Sequence, residues 1–385
     1  MKNTETILER RLNRRSFIKN GSMAAGAVTV GAGLLSHGLA AFGAETNSNS
    51  SLNSGDVAIL QFLAAAELIE SDLWQQYAEL GGIGTNPPIE VDPNQPLNPY
   101  QVALSNLDGD GPQYIASNTL DEKSHAAFLN AYLESKGADP VNLDQFRTLQ
   151  GSKASPASNI GRLTNLMQLN VDTSWYVRYR STTNPDFGAT FPQAITLNGV
   201  YAIPRTDADF DGPPFGNSTS IPGNVHIQAI ANVAAFHFGF IEQGGSSLYA
   251  ALSQKVSSLE VLKITLGIGG DEIAHFLEWV DFSGNGVQAP VAPFTDPITG
   301  LTFPNFFSPL NPLIQPSLIF PVPAQFITQD LPLCAAIRPS SDQFAGAMAA
   351  ANSFINDGLF VGQSPAFLAL LKQLATAADA ATRQV

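Results

Sequence analysis

Apolar residues dominate the stretch from Val57 to Leu80, which contains neither Gly nor Pro. That pattern predicts a long helix, opened at Ser54 with Asp56 as its cap and stopped by Gly81-Gly82. Residues 83–99, rich in Pro and Asn, read as a loop. A second helix is expected from about Asn118 to Lys136, closed by Gly137 and Pro140, with its start undefined by the pattern. Within 138–223 the spacing of apolar residues predicts one more helix, Ile160 to Arg180, followed by a loop of Thr, Asn, Pro, Asp and Gly. Two long apolar runs then predict helices over Asn224–Leu252 and Leu259–Phe282, the latter ending near Gly284. Residues 285–337 carry too many prolines for helix, and their Phe content suggests that they wrap against the helices. Two short helices, Ser341–Asn356 and Pro365–Thr382, close an all-α chain.

The N-terminus belongs to a different class of segment. Arg14-Arg15-Ser16-Phe17-Ile18-Lys19 reads as a twin-arginine export signal. The weakly apolar run from Met23 to Ala41 contains Gly26, Gly31 and Gly33, which suits a cleaved signal better than a membrane helix. Residues 1–44 are therefore expected to be the signal and 45–54 a linker. The body would span 55–283, with 138–223 inserted between its second and third long helices, and 284–385 would form an extension. The expected location is periplasmic or secreted; membrane anchoring would follow only from an uncleaved signal.

Charge narrows the partners. The chain carries a net charge of −14, and residues 1–44 hold mostly basic residues, so the remainder is more acidic still. Such a surface repels nucleic acid and anionic membrane and attracts cations. Only 14% of residues are charged, well below the usual quarter, so each charge inside an apolar run is informative. The lone Cys334, flanked by Leu and Ala, cannot form an internal disulfide and reads as a small buried hydrophobe.

Five histidines occur, and two follow a glutamate by three residues: Glu122-Lys123-Ser124-His125 and Glu272-Ile273-Ala274-His275. Residues three apart share one helical face, so each pair can aim at one metal ion. Both pairs sit among apolar or small neighbours, where a carboxylate is costly to bury unless paired or coordinated. The other two long helices carry Glu67 and Glu70, and Glu242. A helical bundle builds a dinuclear carboxylate site from one Glu on each of two helices and Glu-x-x-His on the other two.

That order (Glu, Glu-x-x-His, Glu, Glu-x-x-His) resembles the ferritin-like superfamily. Ile59-Leu60-Gln61-Phe62 through Glu67-Leu68-Ile69-Glu70, and Glu242-Gln243-Gly244-Gly245-Ser246-Ser247-Leu248-Tyr249, look like the first- and third-helix motifs of its desiccation-related branch. The resemblance covers the four long helices, about a third of the chain. It implies a four-helix bundle holding two iron ions, with manganese as the alternative. The ligands would be Glu67 or Glu70 (Glu67 preferred), Glu122, His125, Glu242, Glu272 and His275. It also implies aromatics close to the metals, Tyr249 seven residues after Glu242, Tyr77 after Glu70, and Trp74 after Glu67, with Tyr77 and Tyr249 expected as catalytic residues that carry electrons or shape access. With dioxygen or peroxide as partner, the expected role is ferroxidase, peroxidase or related stress protection. The competing expectation is a structural or stress-associated binding protein without turnover. A homo-oligomer is compatible with either.

Rival readings attach to particular residues. Asp172, with Tyr179 seven residues on, replaces Glu242 if Ile160–Arg180 is the true third bundle helix. His237 lies on another face from Glu242 and reads as a hydrogen-bonded core residue, and His226 as structural. Glu79, Glu134 and Glu278 read as solvated. Asp207-Ala208-Asp209-Phe210-Asp211-Gly212 lacks the closing Glu of a calcium loop and reads as a turn. Gly244-Gly245 suggests a kink or bulge. A buried ion-pair network would need bases, and only Lys123 and Lys263 stand near.

Overall fold

In a computed structural model, residues 52–83, 96–178, 195–215, 221–309 and 345–384 are described, together with 321–322, 328, 330–332 and 334–335. The export signal, most of the expected linker, Tyr179 and the side chain of Cys334 lie outside the described residues. Helix dominates: α1 Ser54–Gly81, α2 Pro99–Leu107, α3 Gly111–Ser135, α4 Ser174–Arg178, α5 Val225–Ser253, α6 Leu259–Asn285, α7 Ala347–Asp357 and α8 Pro365–Asp379. No described helix is long and apolar enough to cross a membrane.

Side-chain caps fix the starts of these helices. Asn53, Asn98, Asn224, Ser258 and Ser364 each accept a backbone N–H from the first turn of α1, α2, α5, α6 and α8. Asp56 is thus not the cap of α1. Its buried carboxylate instead accepts from the backbone N–H groups of Ser257 and Ser258, both at 2.8 Å, at the start of α6. The second long helix begins earlier than the sequence suggests, at Gly111, where glycine lets Phe282 approach; a Cβ there would sit 2.4 Å from its ring. Helix α2 was not anticipated. Its capping box of Asn98 and Gln101 is a local signal that the surrounding Pro and Asn obscure.

The four long helices α1, α3, α5 and α6 meet around a shared interior, and their contacts give the directions. Thr119 donates to the Trp74 carbonyl (3.1 Å), whereas His125 faces Glu67. Trp74 stacks on Phe238, whereas Tyr249 reaches Glu67. Ser283 bonds Ala235, whereas Ser253 bonds Thr265. Trp279 donates to Asn118 (2.7 Å), whereas Lys136 pairs with Glu260. In every case rising numbers on one helix meet falling numbers on its neighbour, so each adjacent pair is antiparallel. Consequently α3 and α5 run in the same direction, and residues 136–224 must return the chain along the quartet, roughly 35–40 Å.

The predicted helix over Ile160–Arg180 is not formed. The segment contains strand β2 (Gly161–Arg162), paired with β1 (Leu149–Gln150), and β3 (Leu169–Val171), paired with β4 (Leu197–Val200); only α4 is helical. The cause lies on α1. Buried Asp72 accepts from the backbone N–H of Leu163 (3.0 Å) and Thr164 (2.9 Å) and from the Thr164 hydroxyl (2.7 Å), so these donors are unavailable to a helical ladder. Arg147 pairs with the other Asp72 oxygen at 2.6 Å. The apolar residues Leu163, Leu166, Leu169 and Val171 are buried against the core from non-helical backbone. Glu79, expected on a solvated face, pairs with the buried Arg162. Glu134 is exposed, and Glu278 is half-buried. Residues 207–212 do form a turn, in which Asp209 pairs with Arg205.

The C-terminal part joins the same core. Phe303 of the hairpin β5 (Phe294–Thr295) and β6 (Thr302–Phe303), Phe354 of α7, and Phe367 and Leu371 of α8 are all buried in it. Helix α8 packs along α1. Helix α7 is tied to the centre through Asp357, which accepts from His237 Nε2 (3.0 Å), while His237 Nδ1 accepts from the Tyr77 hydroxyl (2.7 Å). His237 is thus a core histidine bonded at both nitrogens. His226 bridges Asp296 (2.9 Å) and Asp209 (3.5 Å).

Asp72→Ala should lower the unfolding free energy by about 3 kcal/mol, because it strands three buried donors and removes a half-exposed guanidinium contact. Denaturant titration checks the size. Increased proteolysis within residues 147–164, with α1 and α3 still protected from hydrogen exchange, checks the location.

Candidate metal centre

Each of the four long helices contributes acidic side chains to one apolar interior. Helix α1 supplies Glu67 and Glu70, α3 supplies Glu122 and His125, α5 supplies Glu242, and α6 supplies Glu272 and His275; all are buried. They converge in two overlapping groups: Glu67, Glu122, His125 and Glu272 in the first, and Glu122, Glu242, Glu272 and His275 in the second. Within each group one ligand atom per residue lies within 4.8 Å of the others. Glu122 and Glu272 belong to both groups and so face both positions. His125 Nδ1 stands 3.2 Å from Glu122 and 3.4 Å from Glu67. His275 Nδ1 stands 3.2 Å from Glu122 and 3.3 Å from Glu242.

Of the two candidates on α1, Glu67 falls in a group and Glu70 in neither. Asp172 precedes α4, where it accepts from the Ser174 N–H (2.9 Å), and it belongs to neither group. The aromatic residues divide. The Tyr249 hydroxyl donates to Glu67 Oε1, at the edge of the first group. Tyr77 turns to His237, and Trp74 packs on both Phe238 and Trp279, which also touch each other.

Two residues escaped the sequence reading. Asp121 accepts from His275 Nε2 (3.4 Å), and Asp271 stands 3.2 Å from His125 Nε2. Each aspartate thus faces the outer nitrogen of the opposite motif's imidazole and turns that ring's Nδ1 inward, toward the glutamates. The signal was present, because each Glu-x-x-His is preceded by Asp, making the repeated unit Asp-Glu-x-x-His.

Glycines make the convergence possible. Helix α5 continues through Gly244-Gly245. Gly245 is there for room: a Cβ would lie 2.1 Å from Glu272 Oε2. A Cβ on Gly269 of α6 would lie 2.7 Å from the Tyr249 Cβ.

The electrostatics are severe. Burial, only partly countered by hydrogen bonds to His125 and His275, pushes the Glu122 carboxyl up to about 8. Burial and neighbouring carboxylates push Glu70 and Glu272 well upward. Burial opposes the His125 imidazolium, but hydrogen bonds to Glu122 and Glu67 and the charges of both outweigh it, raising its pKa to about 10. His275 is shifted upward in the same way, by Glu242, Asp121 and Glu122. Lys123 and Lys263 are exposed, and no Lys or Arg pairs with these glutamates among the described residues. An ion-pair network of the ordinary kind is therefore not what neutralises them.

The residues fit a metal pair on an observation independent of any family. Glu242 Oε1 and both carboxylate oxygens of Glu272 are buried with no hydrogen-bond partner, while Glu67 Oε2, Glu122 Oε1 and Glu242 Oε2 face only the Nδ1 atoms of His125 and His275 across the same space. Buried polar atoms without partners are rare and costly, and here they all point into one space. Comparison with protein-family models, with curated proteins and with solved structures finds no match to this chain. The centre is thus read from its own chemistry.

Metal-free protein should become less stable as pH rises. Glu122 binds its proton more tightly folded (about 8) than unfolded (near 4.5), so its contribution is full below about pH 4.5 and lost on approaching 8. His125 acts in the same sense between 6.5 and about 10. Thermal melts of metal-free protein should show Tm falling from pH 5 to 8, more steeply than in Glu122→Gln, and added divalent cation should restore it most at pH 8. Gly245→Ala should displace Glu272 and weaken metal binding at least tenfold, with an unchanged circular-dichroism spectrum, as read by equilibrium dialysis.

Proposed function

We propose that this chain is a ferritin-like protein that binds two iron ions within a four-helix bundle and uses them in redox chemistry outside the cytoplasm. The observation that carries this reading is the paired set of buried carboxylates and imidazoles that share Glu122 and Glu272, with the Glu272 oxygens left without any hydrogen-bond partner. Support for the bundle comes from the four antiparallel contacts and the parallel α3 and α5, the helix directions of bundles with one long crossover. Oxygen and imidazole donors without thiolate suit iron, with manganese as the nearest alternative. The export signal is part of the proposal on sequence grounds alone.

Iron bound there would supply one-electron chemistry toward dioxygen or peroxide. The rest of the work falls to the chain. Glu67 and His125 would hold one ion, Glu242 and His275 the other, and Glu122 and Glu272 would serve both. Asp121 and Asp271 keep the imidazole N–H protons on the outer nitrogens. Tyr249 fixes one oxygen of Glu67 and retains its phenolic proton, because burial and the charge of Glu67 raise its pKa. Trp74, Phe238 and Trp279, stacked one turn along from the glutamates and His275, exclude water from that end.

Aerobic mixing of metal-free protein with about two equivalents of ferrous iron should give a ferric near-ultraviolet band and iron that stays with the protein through gel filtration. Glu122→Ala with His125→Ala should abolish both, while Asp172→Asn changes neither. Wild-type protein that retains no iron would refute the reading.

A further inference from the structure

Beside the carboxylate centre, along α5 and α6, lies a groove of about 400 Å³, a volume typical of small-molecule sites. It runs along the last two turns of α5, about 12 Å. Leu262, Leu266 and Ile273 of α6 line one wall, Leu266 one turn from Leu262 and two turns from Ile273. Leu266 is 60% exposed, an unusual state for a leucine in the middle of a long helix. Tyr249 closes the inner end, and its hydroxyl already holds Glu67. Ile273 and Ser246, also at that end, are the chain neighbours of Glu272 and Gly245.

Two further observations indicate that the space is kept open for a ligand. Gly270 lines the groove inside helix α6, where glycine is unfavourable. Unlike Gly245 and Gly269, it is not needed for close packing, since a Cβ there would meet nothing within 4 Å. At the outer end stands Arg383, held near the α5–α6 loop by the bond from the Gln384 N–H to Ser257 Oγ (2.8 Å). Its guanidinium has no carboxylate partner among the described residues, in a chain whose net charge is −14.

We propose that this groove binds a small amphipathic carboxylate, its anionic head on Arg383 and its hydrocarbon tail along Leu262, Leu266 and Ile273, with the tail end beside Tyr249. The apolar wall selects the tail and the unpaired guanidinium selects the head. That this ligand is the substrate of the neighbouring centre rests on the proposed iron chemistry; the binding itself does not. The position nearest the centre is then the tail end, remote from the carboxylate.

Isothermal titration of the full-length metal-free protein with octanoate, octanol and octylamine tests this. Saturable one-to-one binding is expected for octanoate, with octanol and octylamine at least tenfold weaker. Arg383→Gln should bring octanoate down to the level of octanol. Gly270→Leu should abolish binding, and it keeps the helix because leucine is the better helix former. Equal binding of the three probes, no binding of octanoate, or unimpaired binding by Gly270→Leu would overturn the assignment. In a second arm, octanoate should perturb the ferric band of iron-loaded wild type but not of Gly270→Leu. Octanoate binding in a protein that retains no iron would uphold the groove and remove the redox reading. Retained iron whose band ignores bound octanoate would remove only the role as substrate.

Discussion

Five carboxylates and two imidazoles are buried close together, with no lysine or arginine among the described residues to balance them. An isolated carboxylate in such surroundings carries a desolvation penalty of several kcal/mol. The fold can tolerate that accumulation only by taking up protons or by holding cations. The upward shifts of Glu70, Glu122 and Glu272 express the first solution, and the unpartnered oxygens of Glu242 and Glu272 leave room for the second. Much of the surrounding structure follows from this need. Gly245 is small so that Glu272 fits, Gly269 is small so that Tyr249 fits, and Tyr249 holds Glu67 in place.

The quartet of long helices was legible in the sequence because its apolar runs are long and free of proline, with sharp caps at Asn224 and Ser258. The groups that converge were legible too, since Glu-x-x-His twice on helical segments is a spacing with a mechanism. What could not be read was whatever depends on distant partners. Residues 160–180 have helix-like apolar spacing, yet Asp72, on a helix far back in the chain, takes their backbone donors. Asp56 looked like a local cap and instead holds the two residues that precede another helix. Glu79 looked solvated until Arg162 came to it. In each case a long-range hydrogen bond outweighed a local preference.

Choosing between Glu67 and Glu70 likewise required three dimensions, because both lie on the buried side of α1 and only the facing helices distinguish them. The aspartates before each motif show the reverse failure. They were visible as a repeated residue, but their meaning depends on the antiparallel meeting of α3 and α6, which brings position 121 to His275 and position 271 to His125.

That exchange ties the two halves of the centre together. Neither motif is self-sufficient, because the ring on α3 takes its orientation from a residue on α6 and the reverse is also true. Damage to one aspartate is therefore felt first at the other motif's position, and the effects of altering both need not add. A lineage that loses one motif would find the surviving one misaligned, so the pair is under pressure to be kept or discarded as a whole.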